Sequence, residues 1–254
     1  RSEKQKVSCV WMENHDGGTL TRRRKRHDAR VRRRSCAGRV GVKMYASWTG
    51  TKKNLSALKA NGWHLLMSPD TLKRCKGKRA PMWPDGTPAP YVLDNGAWGC
   101  HQRGEPFDEQ AFLWAYDRIA ANAEWVVAPD IVGGGMESLR LTKTWLPKLD
   151  HKKVLIAVQD GMTPKHVDPF MDSHRGIFLG GSTEYKLSSM MDWGKYCAAN
   201  NVYFHVARVN TIKRFRACQA AGADSIDGSG ASRFACTASL LPDAAKQQSL
   251  FGRK

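Results

Sequence analysis

The chain has 254 residues, 41% of them hydrophobic and including nine Trp and eight Phe, enough for one large packed domain and too apolar for a disordered chain. Lys and Arg total 41 against 23 acidic residues, a formal charge of +18 that repels itself in a compact state and points to a polyanionic partner; a merely basic soluble protein is the plainer alternative. No apolar run reaches the roughly 18–20 residues of a membrane span, and no apolar stretch follows the first charges as in a signal peptide.

Residues 1–39 differ from the rest. Arg22, Arg23, Arg24, Lys25, Arg26, Arg32, Arg33 and Arg34 crowd into one short segment. Like charges at that density cannot pack on one another, so an extended or poorly ordered arm is expected. It serves either as a phosphate clamp or as a solvated tail, and the sequence favours neither.

From residue 40 short apolar runs alternate with amphipathic segments, the rhythm of βαβ units around a parallel sheet. Strands are expected over 42–46, 64–67, 91–93, 125–128, 154–158, 177–179, 203–206 and 224–226. Helices are expected over 54–61, 70–75, 108–122, 136–149, 164–173, 188–200 and 211–221, several ending in a glycine cap such as Asn61-Gly62 or Ala221-Gly222. Residues 76–90, rich in Pro and Gly, read as a loop before the third strand. Eight strands and their crossovers in about 200 residues predict a (β/α)8 TIM barrel over 40–241, with a tail over 242–254. A doubly wound open sheet would require no particular strand count. The seven cysteines, Cys9, Cys36, Cys75, Cys100, Cys197, Cys218 and Cys236, are odd in number and lack C-x-x-C spacing. They argue against a disulfide framework and a zinc knuckle, and for a reducing cytoplasm.

Reactive groups of such barrels follow the C-terminal ends of the strands. Those positions here are Asp94-Asn95-Gly96-Ala97-Trp98, Pro129-Asp130, Gln159-Asp160-Gly161, Gly180-Gly181-Ser182, His205 through Arg208 to Asn210, and Asp224 through Asp227. A lone Asp after a strand more often caps the next helix, but six consecutive strands ending this way are hard to assign to capping. Carboxylates without a metal cluster suit displacement at a sugar carbon through an oxocarbenium-like transition state, one attacking the anomeric carbon and another handling the proton of the leaving base. Gln and a backbone glycine would read a flat base edge. Trp98 would stack on its face, although an aromatic there is more often core. Asp224 and Asp227 stand three residues apart, so period-two geometry lets only one face the pocket.

The runs Tyr91-Val-Leu-Asp94-Asn-Gly-Ala, Val127-Ala-Pro-Asp130, Ala157-Val-Gln159-Asp-Gly-Met, Phe178-Leu-Gly-Gly181-Ser and Gly222-Ala-Asp224-Ser-Ile-Asp227 resemble the tRNA-guanine transglycosylase superfamily. The wording of His205-Val-Ala-Arg-Val-Asn and Gly-Ala-Asp-Ser-Ile-Asp-Gly is nearest to its DNA-modifying branch, the DpdA-type DNA deazaguanine transglycosylases of phages and genomic islands. The resemblance spans about residues 40–235, in order. It implies a pentosyltransferase with Asp227 as nucleophile and Asp94 as general acid/base, the reverse pairing of Asp224 and Asp227 staying open. It also implies Asp130, Gln159, Gly180 and Gly181 as readers of the base, with His205, Arg208 and Asn210 in support. The tRNA enzymes carry a C-x-C-x-x-C…H zinc site, whereas this chain has only Cys236 after the nucleophile. No cofactor or metal is therefore expected, and DNA is favoured over tRNA, with preQ0 the expected incoming base and a bacterial host cell the expected setting.

The alternatives are the same chemistry on tRNA, a small-molecule nucleoside glycosylase or transferase barrel, and a non-enzymatic nucleic-acid binder. Finally, Gln247-Gln248-Ser249-Leu250-Phe251 resembles the short peptides by which bacterial proteins dock on the replication sliding clamp. Docking needs an extended end; the plainer reading, which we favour, is that the segment tucks against the barrel.

Overall fold

The structure, a computed structural model, describes residues 41–75 and 80–251. The arginine-rich arm therefore lies outside the described residues. Eight parallel strands, β1 (Lys43–Ser47), β2 (His64–Met67), β3 (Tyr91–Leu93), β4 (Val126–Val127), β5 (Val154–Val158), β6 (Arg175–Leu179), β7 (Tyr203–Val206) and β8 (Ser225–Asp227), pair in chain order. The ring closes where β1 meets β8, with Met44 opposite Ile226 and Tyr45 opposite Asp227. This is the (β/α)8 barrel expected from the sequence.

Burial on both faces explains the strand signal. All five residues of β5 are buried: Val154, Ile156 and Val158 face the helices while Leu155 and Ala157 fill the barrel interior. A strand covered on both sides has no polar alternation, so it appears as a continuous apolar run. The interior is packed by Tyr45, Leu66, Val92, Trp125, Val127, Leu155 and Ala157, with Phe178 and Tyr203 against them. At its lower end Glu124 accepts hydrogen bonds from Lys43 Nζ (2.5 Å) and Tyr45 Oη (3.1 Å), and its other oxygen pairs with His64 Nδ1 (2.5 Å). These groups close the barrel away from the rim where chemistry is expected.

The helices follow the expected order with informative departures. α1 (Lys52–Ala60), α2 (Pro69–Arg74), α4 (Glu109–Ile119), α5 (Met136–Trp145) and α8 (Ile212–Ala220) fall where periodicity puts them. Between α2 and α4 stands α3 (Ala97–Arg103), which periodicity does not show because left-handed glycines flank it at both ends, Gly96 (φ 85°) and Gly104 (φ 69°). The segment expected as a helix over 164–173 is only the turn α6 (Pro164–Val167) and a 3-10 turn. Pro169 lacks the N–H that a longer helix needs. α7 (Thr183–Asn200) starts five residues earlier than expected, because the Ser182 hydroxyl caps it by accepting from Tyr185 N (3.1 Å). After β8 come the turn α9 (Gly230–Arg233) and α10 (Leu240–Phe251), both unforeseen. α10 takes up most of the tail expected over 242–254: Leu241 and Ala244 are buried in the main core, and the backbone stays helical through Phe251. Clamp docking through Gln247–Phe251 as an extended peptide would require that helix to unwind. Among the described residues no helix is long and apolar enough to cross a membrane.

Candidate active site

A cavity of about 710 Å³ opens at the C-terminal rim. Every strand contributes to it: Ser47 on β1, Ser68 after β2, Asp94 after β3, Asp130 after β4, Gln159 after β5, Gly180 and Gly181 after β6, Arg208 after β7 and Asp227 on β8. The volume lies within the range of pockets that enclose a small molecule or a single nucleotide.

Asp227 ends its strand with the carboxylate only 16% exposed. His205 Nε2 lies 2.9 Å from its Oδ1, and the Arg208 backbone N–H donates to both oxygens at 3.3 Å. Behind it, His205 Nδ1 is 2.8 Å from Ser225 Oγ, which accepts from Tyr203 Oη at 2.9 Å. With the proton on Nε2, the chain Tyr203–Ser225–His205–Asp227 is satisfied at every link. His205 is fully buried and stacked on Phe178, with ring centroids 4.8 Å apart. The imidazole thus fixes the carboxylate from a rigid seat.

Asp224 is elsewhere. Its side chain accepts from Phe204 N at 2.8 Å and its carbonyl from Lys43 N at 3.0 Å, at the N-terminal end of the barrel. It does not line the cavity, which removes the reverse assignment of the two aspartates. Asn210 also stays outside the lining; its Oδ1 accepts from Gly230 N (2.9 Å) and ties the loop after β8. That loop is tight, since a Cβ on Gly228 would stand 2.5 Å from the Val209 carbonyl.

Across the cavity, Asp94 accepts from the Gly96 backbone N–H at 3.2 Å. Withdrawal from water, together with the charges of Asp130 and Asp227, raises its pKa to about 7. Asp130 is buried and raised to about 6 by that burial, opposed by hydrogen bonds from Asn95 Nδ2 (2.7 Å) and Gln159 Nε2 (2.5 Å). Asn95, which was not among the sequence candidates, also donates to the Ala128 carbonyl at 2.8 Å, so it locks the third rim loop onto the fourth. Gln159 is 2% exposed; its Nε2 is taken by Asp130 and Ser138 Oγ, while its Oε1 has no partner. An acceptor left unsatisfied inside a cavity wall is costly unless a ligand donor completes it.

Gly181 adopts φ +75°, and a Cβ there would stand 2.5 Å from Asp160 Oδ2, so only glycine fits. Asp160 in turn accepts from Ser182 N (2.8 Å) and Ser182 Oγ (2.5 Å), bracing the start of α7 rather than capping its own following helix. Gly180 continues the sheet ladder by donating to the Val158 carbonyl at 2.9 Å. Trp98 is not core: it is 42% exposed on α3, and the Arg208 guanidinium lies 4.7 Å from its ring centroid. Arg208 itself has φ +57°, rare for a side chain that is not Asn, Asp or Gly. Beneath it, buried Lys186 donates to the Ala207 carbonyl at 2.7 Å; burial and the Arg208 charge lower its pKa to about 8. Lys186 lies in the first turns of α7, ahead of the helix expected over 188–200, so no sequence signal pointed to it.

No family model and no curated protein matches the chain. Solved structures of similar architecture include one described as "Native KDPGal structure" (TM-score 0.47, 9% identity, 84% of this chain and 98% of that one). An aldolase described as QR15 gives TM-score 0.48 at 12% identity over 83% and 96% of the two chains. The tryptophan synthase α-subunit of Pyrococcus furiosus, as a mutant, gives 0.45 at 12% identity over 84% and 98%. The barrel assignment rests on the strand pairing itself.

Proposed function

We propose that this protein is an enzyme, a guanine transglycosylase that exchanges guanine in DNA for a 7-deazaguanine such as preQ0. The observation that carries this reading is a pair of aspartates in one cavity with different surroundings. Asp227 is held by directed donors, while Asp94 has a pKa near neutrality. In the first displacement an Asp227 oxygen bonds to C1′ of the target sugar as the C1′–N9 bond breaks. Asp94 gives its proton to the departing guanine. In the second, Asp94 takes the N9 proton of the incoming base, whose nitrogen attacks C1′ and releases Asp227. Asp130 and Gln159 lie buried beside each other in the wall, suited to a flat edge bearing both donors and acceptors. The target nucleotide must leave its stack, because C1′ of a paired nucleotide is out of reach of a cavity floor. The charge of +18 suits such a polyanionic substrate.

The test is incubation of the full chain with radiolabelled guanine and either guanine-containing DNA or tRNA. Label entering DNA supports the reading. Label entering tRNA alone transfers the chemistry to the other polymer, and label entering neither overturns it.

A further inference from the structure

Arg208 occupies the very groups that a bound base would need. Its guanidinium donates to the Gly181 carbonyl and lies over the Trp98 ring, 4.7 Å from the centroid, and all three residues line the cavity. Among the described residues it forms no ion pair. The nearby Asp160 carboxylate is already engaged by the Ser182 N–H and hydroxyl. Its direct partners are thus a neutral carbonyl and an aromatic face, with the Asp160 charge nearby, on a residue whose left-handed backbone (φ +57°) also aims its N–H at Asp227. A phosphate offers two charged acceptors in the planar geometry of the guanidinium fork, a stronger partner than either.

We propose that Arg208 is a substrate-displaced latch: it covers Trp98 and the Gly181 carbonyl until a phosphodiester beside the target sugar draws the guanidinium away and opens the base-binding face. The proposal rests on the nucleic-acid reading above and adds an order of events, phosphate first and base second. A free base must compete with Arg208 for the Trp98 ring and the Gly181 carbonyl, whereas a nucleotide in a polymer brings its own key.

The experiment compares wild type with Arg208→Asn, a residue that tolerates φ > 0 and keeps the backbone N–H. Binding of radiolabelled guanine base is measured by equilibrium dialysis, and binding of a guanine-containing oligonucleotide by salt titration. The latch predicts guanine bound roughly threefold to tenfold tighter by the variant, because a competing cation–π interaction and hydrogen bond are gone. It also predicts oligonucleotide bound more weakly, with a log–log salt slope flatter by about 0.7–0.9. A measurement on the wild type alone gives the same answer: saturating inorganic phosphate should tighten guanine binding. Weaker guanine binding by Arg208→Asn together with no phosphate effect on the wild type would show a merely structural arginine. Unchanged guanine binding with weaker oligonucleotide binding would show a plain phosphate contact; either result overturns the latch. Wild type that binds neither guanine nor oligonucleotide overturns the functional reading, and the latch with it.

Discussion

Two aspartates that face one cavity from separate strands differ in what surrounds them, and that difference is open to mutation. Asp227 has directed partners at 2.9 and 3.3 Å and a partly exposed carboxylate, an arrangement that suits the proposed nucleophile. Asp227→Asn should reduce exchange by more than about a hundredfold while leaving oligonucleotide affinity nearly unchanged. A protein–DNA adduct trapped with wild type should be missing from the variant; an adduct that persists places the nucleophile elsewhere. Asp94 supplies a pH signature. Its pKa is raised from 3.8 to about 7 in the folded protein, so the fold binds that proton more tightly than the unfolded chain does. Stability is full below the ordinary carboxylate range and is lost as pH rises through 7, by an upper bound of roughly 4 kcal/mol. Asp94→Asn should therefore melt above wild type at pH 8 and alongside it near pH 4, in thermal scans across that window. In single turnovers of the wild type, adduct formation should fall above about pH 7, since in the proposed mechanism Asp94 carries the leaving proton. Resolution of the adduct by an incoming base should fall below it.

At the scale of elements, strands were more legible than the helices that shape the rim. β5 is a continuous apolar run and β7 one interrupted only by His205, both with the boundaries the sequence implied, because both their faces are largely buried. α3, α9 and α10 escaped because their stop and start signals are glycines and short polar turns, which read as loop until the barrel supplies a surface to pack on. Packing between helices depends on single positions that periodicity does not mark. Gly194 in α7 touches the end of α8 so closely that a Cβ would lie 2.0 Å from the Ala221 carbonyl oxygen. A backbone group cannot rotate aside, so Gly194→Ala should cost the upper end of the overpacking range, about 3 kcal/mol. The expected outcome is a melting temperature roughly 6–12 °C lower, with the rim chemistry intact in whatever protein remains folded. An unchanged melting temperature would show that α7 can shift at no cost.

For the molecule as a whole, the described barrel begins at β1 with Lys43 and draws its core from residues after position 41. Deleting residues 1–38 should leave the cooperative melt in place. If the arm touches phosphates, the truncated protein should bind DNA more weakly and with a flatter salt dependence, by about 0.9 in log–log slope for each duplex phosphate that the arm had neutralised. An unchanged slope makes the arm a bystander and leaves the barrel's own cations to hold the polymer. By itself the sequence determined the number and order of the strands, the rim positions of Asp94, Asp130, Gln159 and Asp227, and the excess of positive charge. These follow from burial on both faces of each strand and from local residue order, which the chain carries in every short window. Only the tertiary structure decided that Asp224 belongs to the far end of the barrel, that Tyr203 and Ser225 seat His205 behind Asp227, and that Asn95 bridges to Asp130 over 35 positions. It alone brought Arg208 over Trp98 and Gly181. Those contacts exist because closing the barrel brings distant rim loops together, and no pattern along the chain records which side chains then meet across the opening.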